Sequence, residues 1–189
     1  MMQKIQILLS NPNKSLSFLP KKYLLIDTNF LIEISRHPSQ FMELVKDLNN
    51  NGFILVSIEA TLIEFVKGSK SIEDHSKKVK FYKNIIERIL PLEREIHDNV
   101  SKITRVLLNK GGQLSYADCL LLGITMKYKD NLYFLTKDRS DVPISLFNTV
   151  ASIMIETQDN NSTFNIYEYD EKAYEELLIQ LVNDIKVKK

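Results

Sequence analysis

The stretch KKYLLIDTNFLIEI, residues 21–34, sets an apolar run against an abrupt carboxylate. Tyr23, Leu24, Leu25 and Ile26 have the composition of a short buried strand, and Asp27 ends it. Thr28 and Asn29 follow, and apolar residues then return at helical spacing. A strand that stops at an acid and passes at once into a helix puts that acid at the carboxyl end of a sheet strand. In open α/β sheets ligands bind at those ends.

The rest of the chain continues the alternation. Residues 28–36 read as a helix, and Pro38 opens a second one that runs to about residue 50, where Asn49-Asn50-Asn51-Gly52 stops it. Residues 53–58, FILVSI, form a continuous apolar and β-branched run, as in a strand covered on both faces. A helix follows over about 59–67, with Gly68 past its end. Residues 72–90 read as one long amphipathic helix with Phe81, Ile85, Ile86 and Ile89 at helical spacing, broken by Pro91. Residues 93–109 form another, closed by Gly111-Gly112, and residues 115–129 an almost wholly apolar one. LYFLT, residues 132–136, is a strand, and residues 151–169 hold two more around Asn160-Asn161. Asp170 caps a last amphipathic helix carrying Leu177, Leu181 and Ile185. Strands interleaved with helices predict an α/β fold in three layers, a central and mostly parallel sheet flanked by helices.

Composition narrows the class. The chain has 189 residues, of which 44% are apolar, enough for one domain with a sizeable core. No apolar run approaches the roughly 18 to 20 residues of a membrane helix. The run from Ile5 to Leu9 is broken by Gln6 and too short for a signal peptide. These features predict a soluble, cytoplasmic protein with no membrane partner. A single cysteine, Cys119, excludes an internal disulfide and any multi-cysteine metal site, and reads as a small buried apolar residue. His37, His75 and His97 form no HExxH pattern, so any metal would be held mainly by oxygen ligands. Formal net charge is +1, so charge is a local matter. Between Lys67 and Lys83, six lysines stand against Glu73 and Asp74. Such a run is either a solvated face or a contact for phosphate backbone, with Lys67, Lys70, Lys77, Lys78 and Lys80 as the candidates.

Four acids stand where apolar residues would serve the fold better. Asp27 ends the first strand, and Asp138 follows LYFLT in TKDRSDVP, with Asp141 three residues on. Glu64 lies in ATLIEFVKG and Asp118 in SYADCLLLGITM, both read as early turns of helices. Each has a structural reading: Asp27 as a helix N-cap, Thr61-x-x-Glu64 and Ser115-x-x-Asp118 as capping boxes, Asp138 as a turn residue. Gathered in one cleft, they would instead demand a cation. Two carboxylates ~5 Å apart repel by roughly 3 kcal/mol at an effective dielectric near 20. Several together either take up protons or bind a metal, and hard oxygen ligands suit Mg²⁺ or Mn²⁺. Such ions, held between carboxylates and a phosphodiester, promote its hydrolysis.

IDTNFLIEI, ATLIEFVKG, SYADCLLLGITMKY and LTKDRSDVP, in this order and at this spacing, resemble the motifs of PIN-domain ribonucleases. The resemblance spans residues 23 to about 142. It implies a PIN-like fold and a divalent-metal-dependent endoribonuclease that uses Mg²⁺ or Mn²⁺. Many small bacterial members are toxins of toxin–antitoxin modules, so the implied partners are RNA, an antitoxin protein and a second copy in a homodimer. Residue by residue, Asp27, Glu64, Asp118 and Asp138 match the family's catalytic, metal-binding acids, and Asp141 a further acid of the last motif. Asn29 and Thr136 match polar residues that brace the site, and Thr28 and Ser115 are assigned the same role. The implied division is an N-terminal extension over 1–20, the PIN-like nuclease domain over 21–156, and a C-terminal strand and helix over 157–189 packed on the same domain.

Three other readings compete. A phosphatase or phosphotransferase with Asp27 as covalent nucleophile would often carry a second Asp two residues on, where Asn29 stands. A nucleotide-binding fold lacks GxGxxG and GxxxxGK[ST], and Gly111-Gly112 stands alone. The third is a non-catalytic PIN-like scaffold that binds RNA or a protein.

Overall fold

The computed structural model of the protein describes residues 4–9, 19–20, 22–108, 114–137, 142–143, 145–156 and 161–187. The opening stretch folds as read: strand β2 is Tyr23–Ile26, and α1 is Thr28–Arg36. Strand β1, Lys4–Leu9, precedes them. Helix α2 spans Pro38–Asn50, β3 Ile54–Ser57 and α3 Glu59–Lys67. Gly52, at φ 85, makes the turn into β3, a backbone region glycine enters without a Cβ penalty. Helix α4 spans Ile72–Ile85, β4 Arg88–Ile89, α5 Arg94–Leu108 and α6 Tyr116–Lys127. Strands β5, Leu132–Thr136, β6, Phe147–Glu156, and β7, Asn161–Tyr169, precede the last helix, α7, Glu171–Val187.

The seven strands form one sheet in the order β1-β6-β7-β5-β2-β3-β4. Strand β2 pairs in parallel with β5 on one side, Ile26 opposite Leu135, and with β3 on the other, Leu25 opposite Val56. The carboxyl ends of all three therefore lie along one rim. Alternation along a strand sends successive side chains to opposite faces. Leu24 and Ile26 enter one core, beneath Phe30, Phe41, Phe65 and Tyr82 of the first four helices. Leu25 enters the other, beneath Ile96, Ile103 and Leu121 of α5 and α6. Helices thus cover both faces of a buried sheet, and Leu177 of α7 packs on the second core. The side chains of Leu181 and Ile185 lie outside the described residues. No described helix is long and apolar enough to cross a membrane.

One expectation is met in part and one is corrected. The sheet is mixed: its core of β4, β3, β2 and β5 runs in parallel as expected, whereas β7, β6 and β1 are added antiparallel. The hairpin β6–β7 needs no crossover helix, which is why it extends the sheet antiparallel. Lys4–Leu9, β1, is in continuous register with β6 from Lys4 opposite Glu156 to Leu9 opposite Ala151. The helix expected over 72–90 ends at Ile85. Ile86 turns to extended backbone, the Glu87 N–H bonds the Leu55 carbonyl, and the Leu90 N–H bonds the Ser57 carbonyl. Pairing with β3 therefore captures Arg88 and Ile89 as an edge strand, and Ile89 is exposed rather than part of an apolar helical stripe.

Helices α5 and α6 approach tightly at Gly123, where a Cβ would stand 3.0 Å from the Ile96 carbonyl oxygen and 3.0 Å from Val100 Cγ2. The buried amide of Asn99 also donates to the Gly123 carbonyl at 3.2 Å. Gly123→Ala forces the helices apart, so its unfolding free energy is expected to fall by about 1–3 kcal/mol, measured by urea denaturation. An equal or greater stability would contradict this packing.

Candidate functional site

Asp27 caps α1 at the rim where β2 and β5 end. The residue is 7% exposed, and among the described residues its carboxylate is held by hydrogen-bond donors. The Thr28 N–H donates to Oδ1 at 2.5 Å, while the Asn29 amide and the Thr136 hydroxyl each donate to Oδ2 at 2.7 Å. Asn29 donates its other amide hydrogen to Thr136 Oγ1 at 2.9 Å and accepts from the Lys137 N–H at 3.2 Å. One side chain thereby stitches the start of α1 to the end of β5, across more than a hundred residues of sequence.

Burial dominates the electrostatics of Asp27, and its pKa is pushed up to about 6. The hydrogen bonds from Thr136 and from the Thr28 N–H pull the other way, and the charges of Asp118 and Glu64 push further up. That those two charges reach Asp27 is a statement of convergence. Among the described residues, no lysine, arginine or histidine forms an ion pair with it.

Asp27, Glu64 and Asp118 line a single cavity of about 400 Å³. Thr28, Asn29 and Ser115 line it too, as does Lys67 from the last turn of α3. The Glu64 carboxylate is exposed and takes the Thr28 hydroxyl at 2.7 Å. Ser115 caps α6: its hydroxyl donates to Asp118 Oδ2 at 2.5 Å and accepts from the Asp118 N–H at 3.1 Å. The structural readings divide accordingly. Asp27 and the Ser115–Asp118 pair do cap helices. Thr61 and Glu64 do not: the N-cap of α3 is Ile58, Glu64 lies in the second turn, and the buried Thr61 hydroxyl has no partner among the described residues. No capping duty accounts for Glu64. Asp138 and Asp141 lie outside the described residues, as does everything between Lys137 and Val142.

The donor set bears on which ion would fit. It consists of oxygens only, which suits Mg²⁺ or Mn²⁺ and not a thiolate-seeking or imidazole-seeking metal. Among the described residues, no group of three or more His, Cys, Asp or Glu side chains is gathered tightly enough to hold a metal by itself. Mg²⁺ is commonly held by one or two carboxylates, several waters and the substrate's phosphates, so an open cavity of this kind fits it.

The lysine run resolves into separate duties. Lys67 is in the cavity. Lys77 pairs with Glu73 at 2.7 Å, and Lys78 lies 4.0 Å from Asp74 and 5.6 Å from the centre of the Phe65 ring. Lys70 offers its backbone N–H to Asp74. Lys80 lies with His75 and Lys83 along a separate groove beside α4. Lys137, which sequence reading passed over, binds Glu33 of α1 and Ser162 of β7, each at 3.1 Å. Only the folded sheet brings those positions together, so no local signal announces it.

Comparison with protein-family models finds no match, and comparison with curated proteins finds none either.

Asn29→Asp keeps the shape of the side chain but sets an acceptor against Asp27 Oδ2 where a donor stood at 2.7 Å. Its unfolding free energy is expected to fall by about 1–3 kcal/mol at neutral pH. A variant as stable as the parent chain in chemical denaturation would show that the bridge from α1 to β5 is not what fixes the rim.

Proposed function

We propose that the chain is a divalent-metal-dependent endoribonuclease with a PIN-like fold, hydrolysing RNA phosphodiester bonds at this cavity. The observation that carries the reading is Asp27: a buried carboxylate, raised by burial and by two other acids of the same cavity, with no cationic partner among the described residues. The four ordered motifs supply the reaction class, and the oxygen-only donor set agrees with it.

Asp27, Glu64 and Asp118 would hold Mg²⁺ or Mn²⁺, with Asp138 as the fourth acid and Asp141 beside it. Bound there, the ion supplies positive charge to the phosphodiester and makes water a stronger nucleophile. The chain's own residues do the positioning. Thr28, Asn29 and Thr136 aim the Asp27 carboxylate, Thr28 steadies Glu64, and Ser115 steadies Asp118. Such outer contacts fix the orientation of ligating groups. Lys67, in the same cavity, is placed to meet a phosphate. The motif resemblance extends the proposal to a toxin held in check by an antitoxin protein.

One observation favours a second reading, an RNA-binding or protein-binding scaffold. Each of the three acids already receives a hydrogen bond within the chain, and the described residues form no closed metal cage. Removal of metal separates the two, because binding by lysines survives it and hydrolysis does not.

Incubating a mixed RNA pool with Mn²⁺ or Mg²⁺ is expected to give cleavage that EDTA abolishes. Asp27→Asn and Asp118→Asn should each lower the rate by roughly two to three powers of ten, the size of losing one preorganised electrostatic contact in a transition state. RNA binding with no cleavage under either ion would refute the enzyme and favour the scaffold. Cleavage that survives both substitutions would place the chemistry elsewhere.

A further inference from the structure

Of the eight described residues that line the acidic cavity, seven are polar and one, Ile32, is aliphatic. It stands one turn after Thr28 on α1, on the helix face that brings Thr28 and Asn29 to the cavity. Ile32 is half-buried: it packs on the edge of the first core, and the rest of it is left open to the cavity. A single apolar side chain at a surface is ordinary. This one shares about 400 Å³ with the carboxylates of Asp27, Glu64 and Asp118 and with Lys67. The hydrogen bond from Thr28 to Glu64 ties α1 to α3, and Lys67 lies one turn beyond Glu64. Lys67 forms no ion pair with a described residue. Acids that hold a metal and a free ammonium account for the phosphate of a nucleotide, and neither has a use for an aliphatic wall. The carbon framework of the nucleoside does, because apolar contact gains by excluding water. A β-branched side chain in a helix keeps essentially one rotamer, so the wall is formed before the ligand arrives.

We propose that Ile32 is the contact for the nucleoside of the nucleotide whose phosphate meets Lys67 and the acids. The proposal deepens the nuclease reading above and rests on it. An aliphatic side chain has no donor and no acceptor, so it reads no base edge and tolerates different sequences. It still requires a nucleoside, because a bare phosphate brings charge without an apolar partner. Ile32 therefore sets specificity for a class of ligand and not for a sequence.

Adenosine monophosphate and inorganic phosphate separate the two halves of the ligand. Neither contains a phosphodiester, so both can be titrated with Mg²⁺ present and no cleavage. The reporter is the Ile32 δ-methyl resonance of protein with isotope-labelled isoleucine methyls, identified by its absence in Ile32→Val. It should shift saturably with adenosine monophosphate, as the nucleoside closes over it, and stay in place with inorganic phosphate. By calorimetry, Ile32→Ala should weaken adenosine monophosphate by about five- to thirtyfold, the size of losing a partly buried aliphatic contact, and leave phosphate affinity unchanged. Ile32→Val, which removes one methylene, should stay within about fourfold of the parent chain. Lys67→Gln should weaken both ligands. An unmoved methyl, or parental affinity for adenosine monophosphate in Ile32→Ala, would overturn the contact. Equal loss of both ligands in Ile32→Ala would overturn it too, because it reports damage to the cavity and not a missing wall. Metal-dependent cleavage of RNA is scored separately on the parent chain. Cutting with no methyl response refutes the contact alone, and a methyl response without cutting supports the contact and refutes the chemistry.

Discussion

Parallel pairing of β2 with β5 brings two strand ends to one rim, and there the chain buries a carboxylate. The arrangement has a cost. Raising the pKa of Asp27 to about 6 from an ordinary value of 3.8 corresponds to something on the order of 3 kcal/mol. The sign follows from linkage: the cost is absent below the ordinary carboxylate pKa and fully present once pH passes the raised value, so the ionised carboxylate weakens the fold at neutral pH. Three donors reduce this penalty without removing it. The cheapest stable fold would place a neutral residue here. That a charge stands here instead, with two further acids facing it, is the physical basis for assigning the rim a task beyond stability.

The bracing around Asp27 also organises the architecture. Asn29 and Thr136 bind the carboxylate and each other, so the first turn of α1 and the end of β5 are set by the same contacts that aim the acid. Ser57 of β3 donates to the Ile26 carbonyl and joins the third strand to the same edge. Lys137 extends the network to Glu33 and to β7. Loosening any of these contacts would disturb the rim and the site together.

Strands β2 and β5 could be read because each is a short apolar run cut off by a polar residue. Helix α6 could be read because its apolar character is continuous. Strand β4 could not: two residues carry no periodicity, and only the Leu55 and Ser57 backbone draws them into the sheet. Strand β1 was missed because KIQILL is ambiguous alone and is decided by its register with β6. The direction of β6 and β7 is likewise a matter of topology, which composition does not encode. At the site, the residues that converge through the sheet, Asp27, Asn29 and Thr136, were named from their motifs. The lysines were less legible. A count of charges does not reveal that Lys77 is committed to Glu73 while Lys67 faces the acids.

Direct measurement of Mn²⁺ binding tests the central claim without reference to any RNA. Free Mn²⁺ can be followed by its electron paramagnetic resonance signal as the protein is titrated, with the parent chain and folded Asp27→Asn compared side by side. The proposed site predicts saturable binding by the parent chain, displaced by Mg²⁺ and lost in the variant. A folded parent chain that takes up no Mn²⁺, or one that binds it equally with Asn at position 27, would contradict a metal role for the acids at the ends of the strands.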